Sequence, residues 1–165
     1  MADAKKRKWL HVSRQEFVHA FRTAIAAVAS LLIARLFRLP EAYWAAIATM
    51  IVMQSTLGAA WSISKDRLTG TALGAAAGAL LATYAGQNIA AFGAGVFALG
   101  VICAILRVEQ GAYRYAGITL VIVMMIARTQ PPWMVAIHRF IEISVGIAVG
   151  LILTAVWPEP QQAEA

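Results

Sequence analysis

Two long uncharged stretches, residues 42–64 and 68–106, dominate the pattern of apolar and polar positions. A helix needs about 20 mainly apolar residues to cross a hydrocarbon core of roughly 30 Å. The second stretch is too long for one crossing, and Gly86-Gln87-Asn88 divides it at a natural turn. Polar breaks fall at Leu39-Pro40-Glu41, Lys65-Asp66-Arg67, residues 107–114 and Thr129-Gln130-Pro131-Pro132; proline disfavours helix in the residue before it. The pattern predicts helices over residues 16–37, 43–63, 68–84, 89–106, 115–127 and 133–157, preceded by a basic leader (1–14) and followed by a polar tail (159–165). The expected fold is all-α: a polytopic membrane protein of six transmembrane helices, with a membrane domain over 15–158.

Residues 43–81 have a degenerate copy further on. Tyr43 falls on Tyr115 (115 − 43 = 72), and at the same offset Met53 falls on Met125, Trp61 on Trp133 and Arg67 on Arg139. Gly74 then matches Gly146, Gly78 matches Gly150, and Arg35 on Arg107 extends the match upstream. Matched tryptophans, tyrosines and arginines carry weight that alanines in so alanine-rich a chain do not. Halves of about 15–86 and 87–158 hold three predicted spans each. An odd number per half makes them enter the membrane from opposite sides, a 3+3 inverted-topology repeat of the kind common in transporters.

Composition agrees. The chain is 61% hydrophobic and 13% charged, with mean hydropathy +0.70, against roughly 45–50% and about 25% in soluble domains. The net charge of +6 is concentrated at Lys5, Lys6, Arg7, Lys8 and Arg14, which fits headgroups and topology rather than nucleic acid. Lys65, Arg67, Arg107 and Arg114 fall on the same side as that cluster; Arg35, Arg38, Arg128 and Arg139 fall opposite. The bias predicts both termini in the cytoplasm and an inner-membrane location. The first apolar segment is helix-length and arginine-bearing, unlike a cleaved signal peptide. The single Cys103 excludes an intrachain disulfide. The sequence contains no P-loop, dinucleotide fingerprint, HExxH or Cys/His metal pattern. No cofactor, metal or enzymatic activity is expected, and any transport is passive or driven by an ion gradient.

Candidate chemistry sits in the predicted spans. Gly70, Gly74 and Gly78 form a stripe that lets a second backbone approach, repeated by Gly146 and Gly150, with Glu142 in the place of Gly70. Intramembrane charge is costly. Arg139 and Glu142, three apart, and His138 and Glu142, four apart, share one side of a helix, as a substrate or proton site or as a self-neutralising cluster. Arg67 and Arg139 add charge to helix N-terminal regions that already favour anions, unless Arg67 is a topology anchor. Arg22 lies one turn into the first span; His19 reads as interfacial. Gln54, Ser55 and Thr56 could line a polar path or bond to neighbouring backbone. Tyr43, Trp44, Trp61, Trp133 and Trp157 fall near span ends, where aromatic belts anchor helices.

Leu39-Pro40-Glu41-Ala42-Tyr43-Trp44-Ala45, followed by Gln54, Leu57-Gly58 and Arg67-Leu68-Thr69-Gly70-Thr71-Ala72-Leu73-Gly74, resembles the fusaric acid resistance protein-like family. That family includes aromatic acid exporters, and the plant aluminium-activated malate transporters look related. The resemblance, over about residues 14–158, implies a six-helix unit that larger relatives duplicate or join to a cytoplasmic domain. One unit here leads to the expectation of a homodimer in the bilayer. It further implies movement of organic or inorganic anions drawn by arginines, which at the matching positions are Arg22, Arg67 and Arg139. The function expected is export of aromatic carboxylates, with Glu142 and His138 as proton-coupling groups. A passive anion channel and a non-transporting membrane subunit are the alternatives.

Overall fold

The apolar runs form helices, three of which open on a polar side-chain cap. The structure, a computed structural model, describes residues 13–54, 56–126 and 130–158. The basic cluster Lys5, Lys6, Arg7 and Lys8, together with Ser55, Arg128, Thr129 and the tail after Pro158, lies outside them. The described residues are all-helical, in the order α1 (Arg14–Leu36), α2 (Tyr43–Val52), α3 (Leu57–Ala85), α4 (Ile89–Ile105), α5 (Gln110–Met125) and α6 (Pro132–Val156). A capping box opens α1: the Ser13 hydroxyl accepts from the Glu16 amide at 3.1 Å, and the Glu16 carboxylate accepts from the Ser13 amide at 2.8 Å. Asn88 caps α4, its side-chain oxygen accepting from the amides of Ala90 (2.8 Å) and Ala91 (3.2 Å). Asn88→Ala should therefore cost about 1 kcal/mol, read as a lowered thermal midpoint in detergent.

The break between the second and third helices is not where charge suggested. α2 stops at Val52, and α3 begins at Leu57 and runs 29 residues through Lys65, Asp66 and Arg67. Met53 and Thr56 are extended, and the Thr56 hydroxyl accepts from the Ala59 amide at 3.2 Å, capping α3. The charged triplet is helix-compatible: Lys65 faces outward and Arg67 inward. Among the described residues three helices, α1, α3 and α6, are long and apolar enough to cross a membrane by length and composition. The ten residues of α2 rise only about 15 Å.

α1 and α4 end alike. Leu39 and Val108 donate to the carbonyls of Ala34 (3.0 Å) and Cys103 (2.9 Å), closing Schellman motifs around Arg38 (φ 53°) and Arg107 (φ 51°). Structurally, then, Arg107 is the counterpart of Arg38, not of Arg35. The offset here is 69 (107 − 38 = 69), three less than 72, because Tyr115 lies eight positions after Arg107 whereas Tyr43 lies five after Arg38.

Glycine contacts set helix directions. Cβ atoms on Gly70 and Gly74 would strike the carbonyls of Ala112 and Ala116, and one on Gly78 would meet Leu120 and Val123. Both series ascend, so α3 and α5 run parallel. Gly146 meets Ala45 and Ala48, and Gly150 meets Val52, so α6 runs parallel to α2. The Thr49 hydroxyl seals that contact, bonding to the carbonyls of Ala45 and Gly146, each at 2.9 Å. α3 and α6 are antiparallel, Ala60 sharing a core with Ile143 and Ile147, and Ala75 with Val135 and Ala136. α4 is antiparallel to α5, with the Tyr113 hydroxyl reaching the Val96 carbonyl at 3.4 Å and Gly95 facing Leu120. α1 is antiparallel to α6, its Phe21 ring meeting Trp157 while Leu31 packs in the cluster that holds Val145. Every helix thus runs opposite to the next. The third helix of each half, α3 and α6, is clasped by the second helix of the other half.

Candidate functional site: two buried arginines

The closely packed helices carry two arginines inward. α6 opens on extended Pro131 with Pro132 as its first residue, and Arg139 follows two turns later. Its guanidinium lies over the Trp44 ring, 4.1 Å from the centroid. Arg139 Nη2 donates to Glu41 Oε2 at 2.6 Å, and Trp44 Nε1 donates to the same oxygen at 3.0 Å. Glu142 Oε2 lies 3.7 Å from Arg139 Nη1, and Glu142 Oε1 accepts the Glu41 backbone N–H at 2.8 Å. Arg139 and Glu142 are each 1% exposed, whereas the Glu41 side chain is 20% exposed. Arg139, Glu41 and Glu142 thus tie the α1–α2 link to α6. The desolvation of each charge is offset only while all its partners stay in place.

Glu41 escaped the sequence reading, which placed it in a turn. Trp44, expected in an aromatic belt, instead forms the floor under Arg139. The available signal was Glu-x-x-Trp at a helix start, a spacing that lets the acid accept from the indole. Trp61 and Trp133 do lie exposed.

Arg67 has a different setting. It is 5% exposed, its guanidinium is 5.0 Å from the Tyr115 ring centroid, and its Nε is buried without a hydrogen-bond partner. Among the described residues no carboxylate stands within ion-pair distance of it. Asp66 points its carboxylate towards Gly111 in the first turn of α5.

The other predicted residues are scattered. Arg22 is 0% exposed on the inward face Arg22-Ala26-Ser30-Ala34. Its neighbour Phe21 meets Trp157, 18 residues beyond Arg139 (157 − 139 = 18) and so about 27 Å along α6. Arg22 and Arg139 are therefore not brought together. His138 is half-buried, with Nδ1 sheltered and lacking a hydrogen-bond partner among the described residues. Gln54 donates locally to the Ile51 carbonyl at 3.3 Å. Gly70, Gly74, Gly78, Gly146 and Gly150 all lie in close helix contacts.

The family described as Fusaric acid resistance protein-like matches residues 25–153, a stretch that takes in both arginines and every one of these glycines. The chain belongs to the fusaric acid resistance protein-like family. It is 30% identical over 166 residues to a protein named Uncharacterized transporter YdhK in Escherichia coli strain K12, covering 95% of this chain and 25% of that one. The protein of the same name in Escherichia coli O157:H7 matches to the same extent. The chain thus spans about a quarter of the length of the curated relatives it matches. No solved structure matches it. In this fusaric acid resistance-like chain the Arg67-x-x-Gly70-Thr71-x-x-Gly74 motif has a clear physical content. Arg67 turns inward onto Tyr115, Gly70 and Gly74 admit the α5 backbone, and Thr71 is buried between them. The chain's long apolar helices are those of a membrane protein, and the relative that it matches is named as a transporter.

Proposed function

We propose that this chain exports small organic anions, aromatic carboxylates foremost, across the inner membrane, acting as a homodimer with both termini in the cytoplasm. The observation that carries this reading is the burial of Arg22, Arg67 and Arg139, none more than 5% exposed, among apolar helices. Desolvated cations inside a membrane protein mark an ion or substrate route. The alternating helix directions and the matched glycine contacts support a six-span, 3+3 inverted repeat. Arg67, about three turns into α3, draws the anion in from the cytoplasmic side, and Arg139 passes it outward. Glu142 is paired with Arg139 and couples transport to protons: a proton on the acid releases the arginine to the anion. His138 and Gln54 line the route.

The test is release of preloaded benzoate from proteoliposomes, with and without an imposed proton gradient. Saturable release, accelerated several-fold by the gradient and lost in Arg67→Ala, is the expected result. Flux that follows voltage alone, without saturation, would identify a channel. No flux of benzoate or of chloride would leave a membrane subunit without transport of its own.

A further inference from the structure

The repeat places Arg67 and Arg139 at equivalent positions, and their surroundings differ in one respect. Arg139 holds the carboxylate of Glu41 at 2.6 Å while lying on an indole 4.1 Å away. That is how a guanidinium would grip a carboxylic acid attached to a flat ring, with both parts supplied by the chain itself. At Arg67 the aromatic floor is kept, as Tyr115, but both acids are missing. The helix position of Glu142 is taken by Gly70 (142 − 70 = 72), and Glu41, third after the left-handed Arg38, is answered by Gln110, third after the left-handed Arg107. Arg67 is nevertheless 5% exposed, with Nε buried and unpartnered. Burying a guanidinium without an acid is unfavourable, and a ligand that supplies the acid removes that penalty. Asp66 and Glu109, the acids nearest in sequence to the two sides of this site, both lie outside ion-pair distance of Arg67.

We propose that Arg67 on Tyr115 is an open seat for an external monocarboxylate borne on a flat ring, and that Glu41 is the chain's own ligand closing the matching seat at Arg139. This deepens the transport reading and rests on it for the nature of the ligand. The ring stacks against the aromatic floor while the carboxylate takes the guanidinium edge that Glu41 takes in the other half. Glu41 therefore decides how many anions one chain holds.

The experiment is calorimetric titration of the purified full-length protein in lipid nanodiscs with sodium benzoate, beside cyclohexanecarboxylate. Wild type should take one benzoate per chain, at least ten-fold tighter than the saturated ring. Arg67→Gln should weaken that binding at least ten-fold, and Glu41→Gln should keep it and add a second, weaker site. Tyr115→Leu serves if Arg67→Gln does not fold, with a comparable loss specific to benzoate over cyclohexanecarboxylate. Undiminished binding in Arg67→Gln, or in Tyr115→Leu, overturns the seat. A Glu41→Gln protein that still takes a single benzoate overturns the closure at Arg139. The two readings fail separately. Gradient-driven benzoate flux without the Arg67 site leaves transport standing and removes the seat, whereas a seat that binds in a protein giving no flux leaves the seat and removes transport.

Discussion

Gly146→Ala is expected to lower stability by about 3 kcal/mol, at the upper end of overpacking costs, and Gly146→Leu to abolish the monodisperse protein. An added methyl at this position meets the Ala45 carbonyl and the Ala48 side chain, and two backbones cannot adjust as a flexible side chain does. To admit it, α2 and α6 must separate, which also breaks the Thr49 hydroxyl bond to the Gly146 carbonyl (2.9 Å). In a free helix the same change would gain up to about 1 kcal/mol, so the sign itself is diagnostic. Gly93 and Gly117 have nothing within 4 Å of an added Cβ, and Gly93→Ala and Gly117→Ala should be neutral or stabilising. Thermal midpoints in one detergent compare all of these. A Gly146→Ala midpoint equal to that of Gly93→Ala would refute the close α2–α6 contact.

Arg139→Ala should be comparably severe, costing about 3–5 kcal/mol, the range for removing one partner of a buried ion pair. The loss comes less from the missing attraction than from what stays behind. Glu142, 1% exposed, and Glu41 would both lose the Arg139 cation that they now share. Arg139→Lys should recover less than half, because an ammonium cannot lie flat on Trp44 while reaching both acids. Pairing Arg139→Ala with Glu142→Gln should restore part of the loss, since the second change removes the stranded charge. A double-mutant cycle on denaturation midpoints isolates that coupling. Additive costs in the cycle would mean that Arg139 and Glu142 do not interact.

The parts of this fold legible in sequence were those written as periodic or repeated signals. The glycine stripes, the two arginines and the helical content follow from spacing alone, and the family motif falls on the same residues. What escaped was set by contacts far apart in the chain. Glu41 binds Arg139 across 98 positions (139 − 41 = 98), and nothing local to Pro40 announces that partner. The α2–α3 break was misplaced for a different reason. Charge at Lys65, Asp66 and Arg67 read as a link, yet a helix needs only that such residues face suitable surroundings. The polar residues Gln54, Ser55 and Thr56 left two uses open, lining a path or bonding to neighbouring backbone; Thr56 takes the second as the cap of α3, and threonine is a good helix start. The repeat itself carried the missing information, because Met53 aligns with Met125, where α5 ends, just before the proline break.

The clasp of each long helix by the opposite half has a consequence for how the protein is made. The backbone that Gly74 needs arrives 42 residues later (116 − 74 = 42), and the Ala45 carbonyl waits 101 residues for Gly146 (146 − 45 = 101). Synthesis proceeds from the N-terminus, so the first three helices leave the ribosome with their tightest contact faces uncovered. Closing contacts over such separations delays assembly, and the early segments must be sheltered by lipid or by the insertion machinery until α5 and α6 appear. Neither half has a finished core of its own, so the tightest packing comes only with the last helix.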